Sequence, residues 1–145
     1  MGGRGASSGI SIYGKKYGTE YHTIKAKDEN GKDVYLKSGN IKFILANEQG
    51  AQKAPMETRT EDRIYVFVSN NKKFRGPRSI VYFDKNLKRN KQIDLTHFHN
   101  GEKPHTHLGY WHDERGTRKP TMSERKIIAK VHTMWYNWIA RYGVE

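Results

Sequence analysis

TMSERKIIAKVHTMWYNWIARYG, residues 121–143, is the stretch whose reading decides the fold. Ile127, Ile128, Val131, Met134, Trp135, Trp138, Ile139 and Tyr142 recur at spacings of three and four, which puts them on one stripe of an α-helix. Thr121 and Glu124 stand at capping-box spacing just ahead of the stripe, and Gly143 is placed to end it. The spacing predicts a helix over about 122–142. At 1.5 Å per residue it is roughly 30 Å long, enough to cover one face of a small sheet. A stripe with two Trp reads as core rather than as a ligand site.

Upstream of the helix the chain reads as short strands. Tyr21 to Lys27 and Asp33 to Lys37 flank Asn30-Gly31, a hairpin signal. From Asn40 to Ala46, Ile41, Phe43 and Leu45 alternate onto one face. Arg63 to Ser69 is apolar on both faces, Ile64, Val66 and Val68 against Tyr65 and Phe67, as in a central strand. Ser79 to Phe83, Lys91 to Phe98 and His105 to Trp111 complete the run, while the polar residues 47–60 read as a loop. The expected fold class is α+β: an antiparallel sheet of about five to seven short strands packed against the long C-terminal helix.

Residues 1–18 contain Gly2, Gly3, Gly5, Gly9, Gly14 and Gly18, and glycine loses the most entropy on ordering, so this stretch reads as a flexible arm. Residues 19–145 read as one domain. The near-match to a phosphate-binding loop at Gly9 to Lys16 has Lys16 where a hydroxyl is required, and reads as chance. The apolar fraction of 34% with 12% aromatics points to one modest core poor in aliphatic filler. The absence of cysteine excludes disulfides, thiol catalysis and Cys-based zinc or iron–sulfur sites. No run approaches the roughly 18 apolar residues of a membrane span, and Met1 to Gly5 carries no apolar signal core. The expected setting is the cytoplasm of a bacterial host, without membrane association.

Charge is the strongest global feature. Lys and Arg number 27 against 15 Asp and Glu, a net charge of +12, which concentrates polyanions around the chain. RNA or another nucleic acid is the first partner class implied, and an acidic surface on a host or phage protein the second. From residue 72 to 91 there are eight basic residues, Lys72, Lys73, Arg75, Arg78, Lys85, Lys88, Arg89 and Lys91, with Asp84 the one acid among them. Lys72, Lys73, Arg75, Arg78, Lys88, Arg89 and Lys91 are the nucleic-acid-binding candidates. Tyr65, Phe67, Tyr82, Phe98, Tyr110 and Trp111 offer faces for base stacking or for the core.

Five of the seven histidines, His97, His99, His105, His107 and His112, fall between residues 97 and 112. If 97–99 and 105–107 pair as antiparallel strands about Glu102, His99 faces His105 and His97 faces His107, and all four rings project from one sheet face. Thr106 then points to the other face. Such a patch serves acid–base work on a phosphodiester, with His97, His99, His105 and His107 as catalytic candidates and no cofactor. Alternatively the same four residues hold zinc or another divalent metal. Within 97–107 the only carboxylate is Glu102 in the turn, which weighs against the metal. A third possibility is a surface hairpin without a role.

The segments Gly39-Asn40-Ile41-Lys42-Phe43, Ala54-Pro55-Met56-Glu57-Thr58, Lys91-Gln92-Ile93-Asp94-Leu95 and Lys103-Pro104-His105-Thr106-His107-Leu108-Gly109-Tyr110, with the glycine-rich start from Met1 to Gly9, resemble short prophage and phage-associated proteins of Gram-positive bacteria. The resemblance covers most of the chain, from residue 1 to about 130. A looser similarity links the chain to metal-independent endoribonucleases of the barnase, EndoU, colicin and RelE kind. That similarity implies a small α+β domain with His, Arg and Lys on one sheet face, and RNA cleavage through the ribose 2′-hydroxyl. It would make His97, His99, His105 and His107 the acid–base groups and Lys91 and Arg78 phosphate contacts. The leading expectation is thus a phage-encoded, nuclease-like domain that binds RNA and cleaves it if catalytic. The rival expectations are a non-enzymatic phage protein that blocks a host defence complex such as a CRISPR effector or joins the virion, and a His-cluster metal-binding protein.

Overall fold

The structure, a computed structural model, describes residues 7–10, 16–46, 54–55, 58, 61–71, 74–95, 104–110 and 115–143. Its strands are β1 (Ser7–Ile10), β2 (Lys16–Thr23), β3 (Lys25–Lys27), β4 (Asp33–Tyr35), β5 (Lys37–Ser38), β6 (Ile41–Ala46), β7 (Ile64–Asn71), β8 (Phe74–Phe83), β9 (Arg89–Asp94), β10 (His105–Leu108) and β11 (Thr117–Arg118), followed by helix α1 (Met122–Tyr142). The class is α+β, with a mostly antiparallel sheet and one C-terminal helix. Strands outnumber the expected five to seven because the stretches 21–27 and 33–37, each read as one strand, are interrupted at Ile24 and Leu36, and because β1 and the two-residue β11 fall where no strand is expected. Part of the glycine-rich start, 7–10 and 16–18, is strand.

The sheet runs β1-β2-β6-β7-β8-β9-β10-β11, with β5 also on β6, while β3 and β4 form a separate hairpin across the predicted Asn30-Gly31 turn. Gly31 supplies the positive φ of 78° which that turn needs. Strands β6 and β7 pair in parallel, Ile41 beside Ile64 and Phe43 beside Val66; the other strand pairs among the described residues are antiparallel.

Strand β7 is central and buried on both faces, as its composition required. Ile64, Val66 and Val68 join Phe43, Ile80 and Ile93 beneath Val131, Trp135 and Trp138 of α1. Trp135 stacks on Phe43 with ring planes 9° apart. Tyr65 and Phe67 point the other way, into a second cluster with Tyr21, Ile44, Val81 and Phe83. The helix begins at the expected capping box: Thr121 Oγ1 accepts from the Glu124 amide at 3.2 Å, and the Thr121 amide donates to Glu124 Oε1 at 2.9 Å. The Gly143 amide closes its last turn on the Ile139 carbonyl. No helix among the described residues is long and apolar enough to cross a membrane.

Candidate metal centre

Strand β10 pairs with β9 so that His105 lies opposite Asp94, Thr106 opposite Ile93, and His107 opposite Gln92. This is not the hairpin about Glu102 that the sequence suggested. The partners of His105 and His107 are Asp94 and Gln92 rather than His99 and His97. The physical reason lies in Ile93, which is fully buried beneath the helix. Pairing it with Thr106 keeps the apolar side of β9 on the helix side and puts the polar side opposite the histidines. His97, His99 and His112 lie outside the described residues.

The register gathers Asp94, His105 and His107 on the sheet face turned away from α1, all buried at 5% exposure or less. The His105 and His107 Nε2 atoms are 2.8 Å apart, and Asp94 Oδ2 lies 2.7 Å from His107 Nε2 and 3.9 Å from His105 Nε2. The circle through these three atoms has a radius of about 2 Å, which matches the bond length of a zinc-sized ion to imidazole nitrogen or carboxylate oxygen. His107 Nε2 carries one proton or one lone pair, so it satisfies only one of its two close neighbours at a time. A cation at the centre would accept a lone pair from each of the three atoms at once.

The carboxylate is aimed by its surroundings. Asp94 Oδ1 accepts from Ser79 Oγ at 3.0 Å and from Gln92 Nε2 at 2.8 Å, which turns Oδ2 toward the imidazoles. Gln92 is held in turn by Arg89 Nη1 on its Oε1 at 3.0 Å, and Arg89 is anchored by its Nε on the Tyr110 carbonyl at 3.0 Å. Such outer hydrogen bonds fix the orientation of metal-ligating side chains. Burial pushes the Asp94 carboxyl up, but its hydrogen-bonded contact with His107 and the bonds from Gln92 and Ser79 more than offset it, leaving the group at about 2. Asp94 is therefore an ionised acceptor throughout the neutral range.

On the helix side of the same strand, Thr106 points away from the histidines, as expected. Its hydroxyl donates to Glu124 Oε1 at 3.0 Å. Glu124, 1% exposed, also receives Lys91 Nζ at 2.8 Å and both terminal nitrogens of Arg118 at 2.7 and 2.9 Å. Burial raises its carboxyl, but these donors outweigh the effect and hold it well below the usual carboxylate range.

The basic candidates divide. Lys91 is tied to Glu124 and lies 4.4 Å from the centre of the Tyr82 ring, and Arg89 is used inside the Asp94 network, so both serve the fold. Lys88 is exposed, with its ammonium 5.3 Å from the Tyr110 ring centre, and Arg78 is half-buried. Lys72, Lys73 and the side chain of Arg75 lie outside the described residues, as do Phe98 and Trp111. Tyr65 and Phe67 are core, not stacking platforms.

Sequence reasoning missed Asp94, because it sought a carboxylate inside 97–107 and the strand pairing supplies one from β9. The available signal was an acid set between Ile93 and Leu95 in a predicted strand, where a solvated acid is out of place. Comparison with protein-family models, with curated proteins and with solved structures gave no match.

Proposed function

We propose that this chain binds one divalent transition-metal ion through Asp94, His105 and His107, within a cationic nucleic-acid-binding domain. The observation that carries the reading is the convergence of two imidazole nitrogens and one carboxylate oxygen on a point about 2 Å from each. A set of two nitrogens and one oxygen suits zinc, iron, nickel or copper, whereas magnesium and calcium favour all-oxygen sites. Burial of all three side chains favours a metal that stiffens the β9–β10 edge over one that meets a polymer substrate.

Metal analysis tests this. The purified protein is expected to carry about one ion per chain, to melt at lower temperature after chelation, and to regain both ion and stability with zinc. Asp94→Ala and His107→Ala should abolish uptake. A wild-type protein that neither retains nor takes up zinc or cobalt, with a melting temperature indifferent to chelator, would overturn the proposal.

A second reading rests on the 2.7 Å contact of Asp94 with His107, the arrangement in which a carboxylate orients an imidazole for acid–base work on RNA. It requires RNA cleavage that persists in EDTA and disappears in His107→Ala. Wild-type protein that leaves RNA intact in EDTA, or a His107→Ala variant that still cleaves it, removes this reading.

A further inference from the structure

The outward face of α1 takes no part in the core or in the Asp94 centre. Along residues 122–142 the only acid is Glu124, which is buried and neutralised by Lys91 and Arg118. The exposed side chains of the same helix include Arg125, Lys126, Lys130, His132 and Arg141. Lys126, Lys130 and Arg141 fall within one narrow sector of the helix surface, at steps of four and eleven residues. At 1.5 Å per residue the row is about 22 Å long. Beside it, Ala129, Thr133 and Ala140 are small and exposed, so a partner's backbone can approach closely. Tyr136, 65% exposed, presents an aromatic ring in the same arc.

We infer that this face is a nucleic-acid contact surface that binds the phosphate backbone through Lys126, Lys130 and Arg141. A protein partner would call for an apolar centre with buried anchors. This arc offers only Tyr136 and, at the helix start, Met122 as large apolar groups. Backbone binding to nucleic acid needs what is present: cations in a row, without competing carboxylates, and room for close approach. The helix packs on the sheet face opposite the one that carries Asp94, His105 and His107. The inference therefore stands apart from the metal centre, and a nucleic acid on this face lies away from that centre.

The test measures binding of a labelled 30-nucleotide single-stranded RNA and of a DNA duplex by fluorescence anisotropy across a salt series. The full chain is compared with K126E/K130E/R141E and with a control of equal charge change, K32E/K37E/K85E. Circular dichroism melts confirm that both variants fold. Each phosphate contact on a single strand contributes about 0.7 to the salt slope, so the helix variant should lose about 2 units of slope and at least tenfold in affinity. The control should lose far less. Equal losses in the two variants, unchanged binding in the helix variant, or equal affinity for polyglutamate would each overturn the proposal. Retained binding in His107→Ala, measured alongside metal content, separates failure here from failure of the metal reading.

Discussion

Replacing Glu124 should cost this fold more than any other single polar substitution among the described residues. The carboxylate is 1% exposed and joins four elements: Thr121 at the helix cap, Thr106 on β10, Lys91 on β9 and Arg118 on β11. In Glu124→Ala the Thr121 amide loses its Oε1 acceptor, worth about 1 kcal/mol, while Thr121 Oγ1 keeps the backbone amide of residue 124. The fully buried Thr106 hydroxyl loses its acceptor, worth about 1–3 kcal/mol. Lys91 and Arg118 have side chains 28% and 35% exposed, so each turns toward water instead of remaining as a stranded charge. That relief keeps the total near 2–4 kcal/mol, at or below the low end for a broken buried ion pair. In a chain of this size the melting temperature should fall by about 10 °C. Glu124→Gln keeps an acceptor for Thr106 and should lose roughly half as much. Urea denaturation of Glu124→Ala, Arg118→Ala and the double variant measures the coupling, expected at about 1.5 kcal/mol or more. A loss below about 1 kcal/mol for Glu124→Ala, or a coupling near zero, would refute the view that one carboxylate pins the helix to the sheet edge.

The folded Glu124 carboxyl titrates below its unfolded value, so its stabilisation is complete above the unfolded pKa near 4.3 and is lost as pH falls. Urea midpoints should drop from about pH 5 downward, with a shallower drop in Glu124→Ala; parallel curves would contradict the assignment. Trp135→Ala removes the ring stacked on Phe43 and should cost about 3–5 kcal/mol by the same measurement, whereas a loss under 1 kcal/mol would mean that the helix does not rest on that ring. Gly31→Ala meets no neighbouring atom within 4 Å but must hold φ near 78°, so it should cost about 1 kcal/mol through backbone strain alone, and a neutral result would place the turn elsewhere.

Local signals in the chain were enough for much of the fold. The capping pair Thr121 and Glu124, the stripe from Ile127 to Tyr142, the Asn30-Gly31 turn and the two-faced apolar run of β7 each depend on neighbours in sequence, and each appears where the residues put it. The candidate centre was only half legible. His105 and His107 stand out by spacing, and their common face follows from strand alternation. Their partner does not, because the β9–β10 register is set by Ile93 seeking the helix side, a long-range demand that no local motif encodes. Glu124 shows the same limit: its cap is local, while its ties to Lys91, Thr106 and Arg118 exist only once three strands and the helix have met. The parallel pairing of β6 with β7 also escaped, since the hairpin rule says nothing about strands separated by a long connection.

Strand β10 is four residues long and is read from both sides: His105 and His107 face the Asp94 carboxylate, and Thr106 faces Glu124. Inserting or deleting a single residue within it would exchange the two sets, driving imidazoles under the helix and leaving a hydroxyl beside the carboxylate. Length changes in natural variants of this chain should therefore fall outside β10, with the spacing from His105 to His107 held constant. The same constraint makes β10 a poor place to graft a tag or an epitope.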